Sequence, residues 1–315
     1  KSGVECEYFL ISPDGNSIAD PRDTQSKPCY DQSALMRRYD LIKDALAVNE
    51  LSNTIAIKTP NKVAINDIYR AHSKDYVDAF LSSSLSDKQV REIGLKPWSD
   101  KIIDRTLFLT GGSVSALYDI YKGAPVSANM AGGTHHAFSE RGSGFCIFND
   151  IAICAIKAIE DYNYNRVLII DLDVHQGDGT ASILENNDNA YTFSVHCKQN
   201  FPFKKESSNM DIEVESGIDD QAYLNILDKS LDTLNSVESD ILFFQAGVDA
   251  LNTDRYGKLS LTIEGLNERN KMIFDFAQKR KNPILILMGG GYSEPIDNTV
   301  AAFRDLFIAA AKYSL

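Results

Sequence analysis

A chain of 315 residues with 43% hydrophobic content can bury a substantial core, and α/β folds of this size are often one domain. Its formal charge of -12 argues against a nucleic-acid-binding surface, which needs a basic stripe, and no apolar run approaches membrane-spanning length. Its five cysteines (Cys6, Cys29, Cys146, Cys154, Cys197) are odd in number, widely spaced and free of any Cys-x-x-Cys pair, which fits free thiols in the cytoplasm or another reducing compartment.

Residues 1–30, rich in Pro, Asp, Ser and Gly, read as an irregular lead-in without the continuous apolar core of a secretory signal. The chain begins at Lys1 rather than Met, so a removed N-terminal targeting segment is compatible with this start. A helix is expected over Ser33–Val48, with Leu35, Leu41, Ile42, Ala45 and Leu46 as its inner stripe. Further helices fit Lys74–Leu81, Ser99–Tyr121, Asn149–Tyr162, Asp219–Val237, Thr262–Lys279 and Asp297–Lys312. Between them lie apolar runs of strand length at Val126–Met130, Val167–Ile170, Tyr191–Val195, Ile241–Phe244 and Ile284–Met288. Strands alternating with helices predict a single α/β domain, a doubly wound and mostly parallel sheet with helices on both faces.

Ligands in such sheets bind beyond the carboxyl ends of the strands. Four of the five predicted strands run into reactive residues there: Gly132-Gly133-Thr134-His135-His136, then Asp171, Asp173 and His175, then Gly247-Val248-Asp249, then Gly289-Gly290-Gly291-Tyr292. Alternate side chains of an extended segment share a face, so Asp171, Asp173 and His175 start on one side. Burying two carboxylates and an imidazole together is costly unless a cation holds them. Asp173, His175 and Asp249 make a ligand set of the catalytic kind, three protein donors with a position left open, and the natural chemistry of such a site is hydrolysis by activated water. A strand-end aspartate can equally cap a turn, and a lone histidine is more often a satisfied core residue than a ligand. Two successive histidines after a Gly-Gly turn shift that balance toward acid–base work, and a base of this kind is expected to titrate near neutrality. Tyr292, one of 14 tyrosines, follows three glycines and could donate to an oxyanion; an ordinary half-buried loop tyrosine is the plainer reading.

These motifs, with Gly142-Ser143-Gly144-Phe145-Cys146 and Asp173-Val174-His175-Gln176-Gly177-Asp178-Gly179, resemble the zinc-dependent histone deacetylase family of the arginase–deacetylase fold. The likeness is closest to its class IV-like and bacterial branch and runs from about Met36 to the C-terminus, within a catalytic domain over residues 31–315. The resemblance implies one zinc ion held by Asp173, His175 and Asp249. It makes His135 and His136 the tandem catalytic histidines, bonded to Asp171 and Asp178, and Tyr292 the tyrosine on the substrate carbonyl. It implies an acyl-lysine channel formed by Gly144, Phe145 and Phe201, and a structural potassium ion held by Asp171 and Ser194 with main-chain carbonyls of Asp173, His175 and Val195. The implied substrate is an acylated lysine in a protein or peptide, or a small acylated amine.

Three positions depart from the family pattern. Gln32-Ser33-Ala34-Leu35 replaces a His-Arg-Phe-Pro segment, so the arginine of an interior release path is expected to be missing or supplied from elsewhere. The acidic residue that grips the substrate backbone in many members of the family has no clear match near Gly94–Asp100. Tyr256 stands at a rim position that is usually leucine, and belongs with the channel residues. A binuclear ureohydrolase of the same fold would need a second carboxylate pair, whereas Val248-Asp249-Ala250-Leu251 offers one. Polyamine deacetylation, longer-chain deacylation and a non-catalytic binding role are the other readings.

Overall fold

The apolar runs assemble into one parallel sheet. The computed structural model describes residues 38–47, 55–95, 98–99 and 101–313, and among these it contains six strands and ten helices. The strands are β1 (Val126–Asn129), β2 (Val167–Asp171), β3 (Ala190–Cys197), β4 (Met210–Val214), β5 (Ile241–Gln245) and β6 (Ile284–Leu287). The helices are α1 (Arg38–Ala47), α2 (Ile65–Ile68), α3 (Lys74–Leu81), α4 (Asp87–Ile93), α5 (Lys101–Tyr121), α6 (Asp150–Tyr162), α7 (Asp178–Leu184), α8 (Asp220–Leu234), α9 (Ile263–Arg280) and α10 (Ile296–Tyr313). All neighbouring strands are parallel, in the order β1-β6-β5-β2-β3-β4.

The central strands are apolar at successive positions because both of their faces are covered. Leu168, Ile170, Leu242 and Phe244 pack into one core, with Ile42 of α1, Leu227 of α8, Ile273 of α9 and Phe303 of α10. The alternate residues Val167, Ile169, Ile241 and Phe243 pack into a second core, with Ile68 of α2, Val77 of α3, Leu117 of α5 and Ile151 of α6. Burying one such side chain contributes about 1.5–3 kcal/mol, more than the differences in helix propensity among ordinary residues, so packing decides where the helices lie. No helix among the described residues is long and apolar enough to cross a membrane.

The chain runs from β2 outward to β3 and β4, then crosses back to place β5 on the other side of β2. The crevice between the carboxyl ends of β2 and β5 is therefore a topological switch point, the usual ligand position in such sheets.

Helix starts agree with their capping residues. Asn149, Asp219 and Thr262 lie just outside α6, α8 and α9, and each side chain accepts a first-turn N–H. Four elements lie outside the sequence-based expectations. The edge strand β4 alternates Met210, Ile212 and Val214 with acidic residues and has only a partly buried face. Helix α4 carries a capping box between Ser86 and Gln89 and ends at Gly94, where φ is 82°. The other two, α2 and α7, span four and seven residues. Cys146, Cys154 and Cys197 are buried free thiols. The lead-in over residues 1–30, Cys6, Cys29, Gln32–Leu35 and the first five residues of the helix expected over 33–48 lie outside the described residues.

Candidate active site and metal centre

Backbone donors fix the carboxylates at the switch point. One residue beyond β2, Leu172 N–H still bonds to Gln245 O at 3.1 Å. The chain then turns, with Asp173 N–H donating to Asp171 Oδ1 at 3.1 Å and His175 N–H to Asp173 Oδ1 at 3.0 Å. From the β5 side, Asp249 Oδ1 accepts Val174 N–H at 2.9 Å. From the β6 side, Gly290 N–H reaches Asp173 Oδ2 at 2.9 Å. Gly247 must be glycine, because a Cβ there would lie 2.3 Å from Asp173 Oδ2.

The result is a compact donor set. His175 Nδ1 lies 3.0 Å from Asp173 Oδ1 and 3.1 Å from Asp249 Oδ2, and one donor atom from each residue falls within 4.8 Å of the others. No other group of three His, Cys, Asp or Glu side chains is gathered this way among the described residues. Two buried carboxylates and an imidazole at this spacing fit one divalent cation with nitrogen and oxygen ligands. Burial and the Asp173 charge push Asp249 up to about 7. Burial opposes protonation of His175, but hydrogen bonds to Asp173 and Asp249 overcome it and lift the ring to about 10.

The tandem histidines hang from a clamped turn. Gly133 has φ 97°, and a Cβ there would collide with Gln245 Oε1 at 2.3 Å, so the turn sits tightly on the end of β5. Asp150 at the start of α6 accepts Gly133 N–H at 3.0 Å, Thr134 N–H at 2.7 Å and the Thr134 hydroxyl at 2.6 Å. Asn149 Nδ2 donates to the carbonyls of His135 and Ala137. Neither Asn149 nor Asp150 stands out in the sequence; the signal present is a helix-capping Asn followed by an acid at a helix start that packs on the turn.

His135 Nδ1 donates to Asp171 Oδ2 at 2.7 Å and His136 Nδ1 to Asp178 Oδ1 at 2.6 Å, as expected. The surroundings of the two rings push them in opposite directions from the usual histidine value. Burial pushes His136 down to about 4, helped by the neighbouring His135 charge. Burial acts on His135 in the same direction, but the Asp171 and Asp173 charges overcome it and raise the ring to about 9. With one ring proton committed to Asp178, the neutral His136 keeps Nε2 as an acceptor.

All four residues expected to line the channel, Gly144, Phe145, Phe201 and Tyr256, border one cavity of about 410 Å³ together with His135, His136, Asp173, His175, Asp249 and Tyr292. Phe201 stands edge-on to His136 at 5.0 Å. Gly144 lies against the same ring, where a Cβ would come within 2.6 Å of His136 Cδ2. Phe145 takes φ 67°, rare for a residue with a side chain, and leaves its ring 49% exposed at the mouth. Tyr292 N–H donates to Asp254 Oδ2 at 2.6 Å, and Asp254 Oδ1 accepts Tyr256 N–H at 2.8 Å, so one carboxylate ties both tyrosines together.

The departures from the family pattern resolve in space. An arginine is present at the cavity after all: Arg38, beyond the replaced segment, is buried, donates to Gly291 O at 2.9 Å and stacks 4.8 Å from the Tyr292 ring centroid. An acidic residue also lines the cavity: Glu92, two residues before the stretch in which the sequence offers no clear match. For the monovalent cation site, Asp171 and Ser194 are register partners on β2 and β3, with Val195 next in line, and Ser194 Oγ contacts His196 Nδ1 at 2.9 Å.

Comparison with known proteins agrees with this geometry. An uncharacterized protein of Picosynechococcus is 44% identical over 73% of this chain and 76% of its own length. Histone deacetylase 2 of Arabidopsis thaliana and histone deacetylase 1 of Homo sapiens are each 29% identical, over 78% and 77% of this chain. The matched region is 66% of the plant protein and 54% of the human one. Residues 34–306 match the histone deacetylase domain, which spans the sheet, both histidines, the metal-ligand set and Tyr292, and the chain belongs to that family.

Proposed function

We propose that this chain is a zinc-dependent deacylase that hydrolyses the amide of an acylated lysine, acetyl-lysine first, or of a related small amine. The observation that carries the reading is the placement of His136, oriented by Asp178, on the same cavity as the Asp173, His175 and Asp249 donors and Tyr292. Asp173, His175 and Asp249 would hold one zinc ion, and Asp171 and Ser194 with carbonyls of Asp173, His175 and Val195 a potassium ion. Bound zinc supplies Lewis acidity, polarising a carbonyl and making water nucleophilic at neutral pH.

The side chains divide the remaining work. His136 Nε2 takes a proton from the attacking water while Asp178 steadies the resulting cation. Tyr292 donates to the carbonyl oxygen as negative charge develops there. The carbon–nitrogen bond then breaks, a ring proton passes to the leaving amine, and carboxylate and amine are the products. His135, protonated between Asp171 and Asp173, supplies fixed positive charge beside the reacting carbonyl. Phe145, Phe201 and Gly144 form walls that suit an apolar acyl-lysine stem and exclude water. Arg38 stands where a released carboxylate anion would be stabilised inside the cavity.

The test is a panel of acetyl-lysine peptides, longer acyl-lysine peptides and acetylated polyamines assayed on zinc-loaded protein, with amine release as the readout. Turnover of an acyl-lysine peptide that is lost in Asp249→Ala supports the reading. Absence of turnover across the panel in stoichiometrically zinc-loaded protein overturns it.

A further inference from the structure

Arg269, on α9, is wholly buried and is among the largest fully buried side chains of the protein. A buried guanidinium is costly unless its donors are used. Here none of its hydrogen bonds goes to a carboxylate. Nη1 donates to Gly247 O at 2.7 Å and to Leu172 O at 3.2 Å, Nη2 to Ala246 O at 3.4 Å, and Nε and Nη2 both reach Asn270 Oδ1, at 3.1 and 2.9 Å. Behind it, the Phe244 ring centroid lies 5.6 Å from the guanidinium carbon.

The positions of those carbonyls matter. Leu172 is the residue between Asp171 and Asp173, and Ala246-Gly247 opens the turn that delivers Asp249 two residues later. One planar fork therefore grips both the turn after β2 and the turn after β5, and Arg269 is not among the residues that line the cavity bordered by His175 and Tyr292. The other ties between these turns, the Leu172 N–H to Gln245 bond, the Val174 N–H to Asp249 bond and the His175 Nδ1 to Asp249 Oδ2 contact, lie along the ladder or at the ligands themselves.

We propose that Arg269 is a positioning residue for the metal centre: its guanidinium sets the spacing between the Asp173–His175 turn and the Asp249 turn. This rests on the reading that those three residues hold zinc. Groups that support the ligands of a metal typically change its affinity by about 10–100-fold when removed. A guanidinium presents several donors in a fixed plane, whereas an ammonium is a point donor that cannot span two loops.

The experiment measures zinc affinity by chelator competition, and the zinc-induced rise in melting temperature, for wild type, Arg269→Met and Arg269→Lys. Arg269→Met is expected to bind zinc about 10–100-fold more weakly and to show a smaller zinc-induced rise. Arg269→Lys, which keeps the charge and loses the fork, should fall between the two. A purely structural arginine would lower the melting temperature with and without zinc by the same amount and leave affinity unchanged, and that result overturns the proposal. So would wild-type affinity in Arg269→Lys, which would assign the effect to charge alone. Failure of both variants to fold would place Arg269 in the fold rather than the site, and overturns the proposal as well. Absence of stoichiometric zinc in the wild type is a separate outcome, which removes the metal reading first and this inference with it.

Discussion

His135 and His136 are adjacent in sequence and in contact in space, with ring centroids 4.1 Å apart, yet each sends its Nδ1 to a different aspartate. A proton on one ring makes a proton on the other costly at that distance. The partners break the symmetry. His135 faces Asp171 at 2.7 Å and Asp173 at 3.9 Å, while His136 has Asp178 alone and packs against Phe201. The charges around His135 raise its affinity for a proton while burial lowers that of His136, which pushes the two rings toward different acid–base roles.

Asp178→Asn tests that division. An amide would no longer favour the Nδ1–H tautomer of His136, so its Nε2 would be less available as a base. Turnover should fall by about 10²–10⁴-fold, the usual contribution of a positioned general base, with zinc content unchanged. Equal loss of zinc would mean that Asp178 supports the metal turn instead, and undiminished turnover would take His136 out of the mechanism.

Tyr292→Phe should separate binding from chemistry. The backbone of Tyr292 is tied to Asp254 and its ring rests on Arg38, so the phenyl ring can keep the same seat. Loss of one oxyanion donor should reduce kcat by roughly 10²–10³-fold with zinc retained. A crystal of this variant soaked with an acyl-lysine peptide should show the uncleaved substrate. Unchanged kcat would show that Tyr292 only lines the cavity.

Asp249→Ala should remove zinc. The carboxylate supplies one of three donors and also accepts Val174 N–H, so its loss opens the donor set and leaves that N–H without its partner. Metal analysis should find zinc well below one per chain, and circular dichroism should find the fold largely kept, as expected for a catalytic rather than a folding site. Stoichiometric zinc with normal turnover would sink the ligand assignment, and two metals per wild-type chain would favour the ureohydrolase alternative.

The candidate site is legible in the sequence because its groups follow strand ends, where reading an apolar run also locates the rim. Val167–Ile170 leads directly to Asp171, Asp173 and His175, and no long-range information is needed to put them together. Arg269 is invisible there for the opposite reason. It sits mid-helix in Asn267-Glu268-Arg269-Asn270, where a charged residue reads as a solvated face, and only packing of α9 on the sheet shows it pointing inward. Arg38 carries no local signal for its bond to Gly291, 253 residues away, and Asp254, whose local bonds to Tyr256 and Gly257 read as an ordinary turn, gives no sign of its bond to Tyr292 38 residues on. Strand β4 escapes a search for apolar runs because Asp211 and Glu213 interrupt it, although alternation of that kind is what an edge strand with one wet face should show.

His72 should make stability acid-sensitive. Its Nδ1 donates to Phe138 O at 3.0 Å and its Nε2 accepts Asn149 N–H at 2.8 Å, an arrangement that only the neutral ring satisfies. Burial pushes it down to about 4 from the usual 6.5. The folded-state value is depressed, so the unfolded chain takes up the proton first. The contribution is complete above about pH 6.5 and is lost as pH falls toward 4, amounting to ~3 kcal/mol over that window. Urea unfolding of wild type and His72→Gln across this range should show the stability difference between them shrinking or reversing as pH falls. A difference independent of pH would identify another group as the sensor. Because Asn149 also holds the carbonyls of His135 and Ala137, the same protonation should loosen the catalytic turn.

Tyr256 should govern which substrates enter. Its ring is 43% exposed, borders the cavity and stands edge-on to Tyr292 at 5.4 Å. Its backbone is held on both sides, by Asp254 at the N–H and by Asn200 Nδ2 at the carbonyl, the latter at 2.6 Å. That anchoring holds the backbone that carries the ring, and the edge-on contact with Tyr292 keeps the ring beside the cavity. A leucine in its place would keep an apolar rim, lose the phenol hydroxyl and shorten the wall. Tyr256→Leu should therefore shift relative kcat/KM among acetyl, longer-acyl and polyamine substrates with zinc content unaltered. Changes of pocket packing of this size discriminate by about 1–3 kcal/mol, so the shift should lie within roughly 10–200-fold. A fall in kcat common to all substrates would mean that the variant disturbs Tyr292 through their shared contact. Identical profiles for the two proteins would show that the ring is not a gatekeeper, and would move the search for one to Phe145 and Glu92, which border the same cavity.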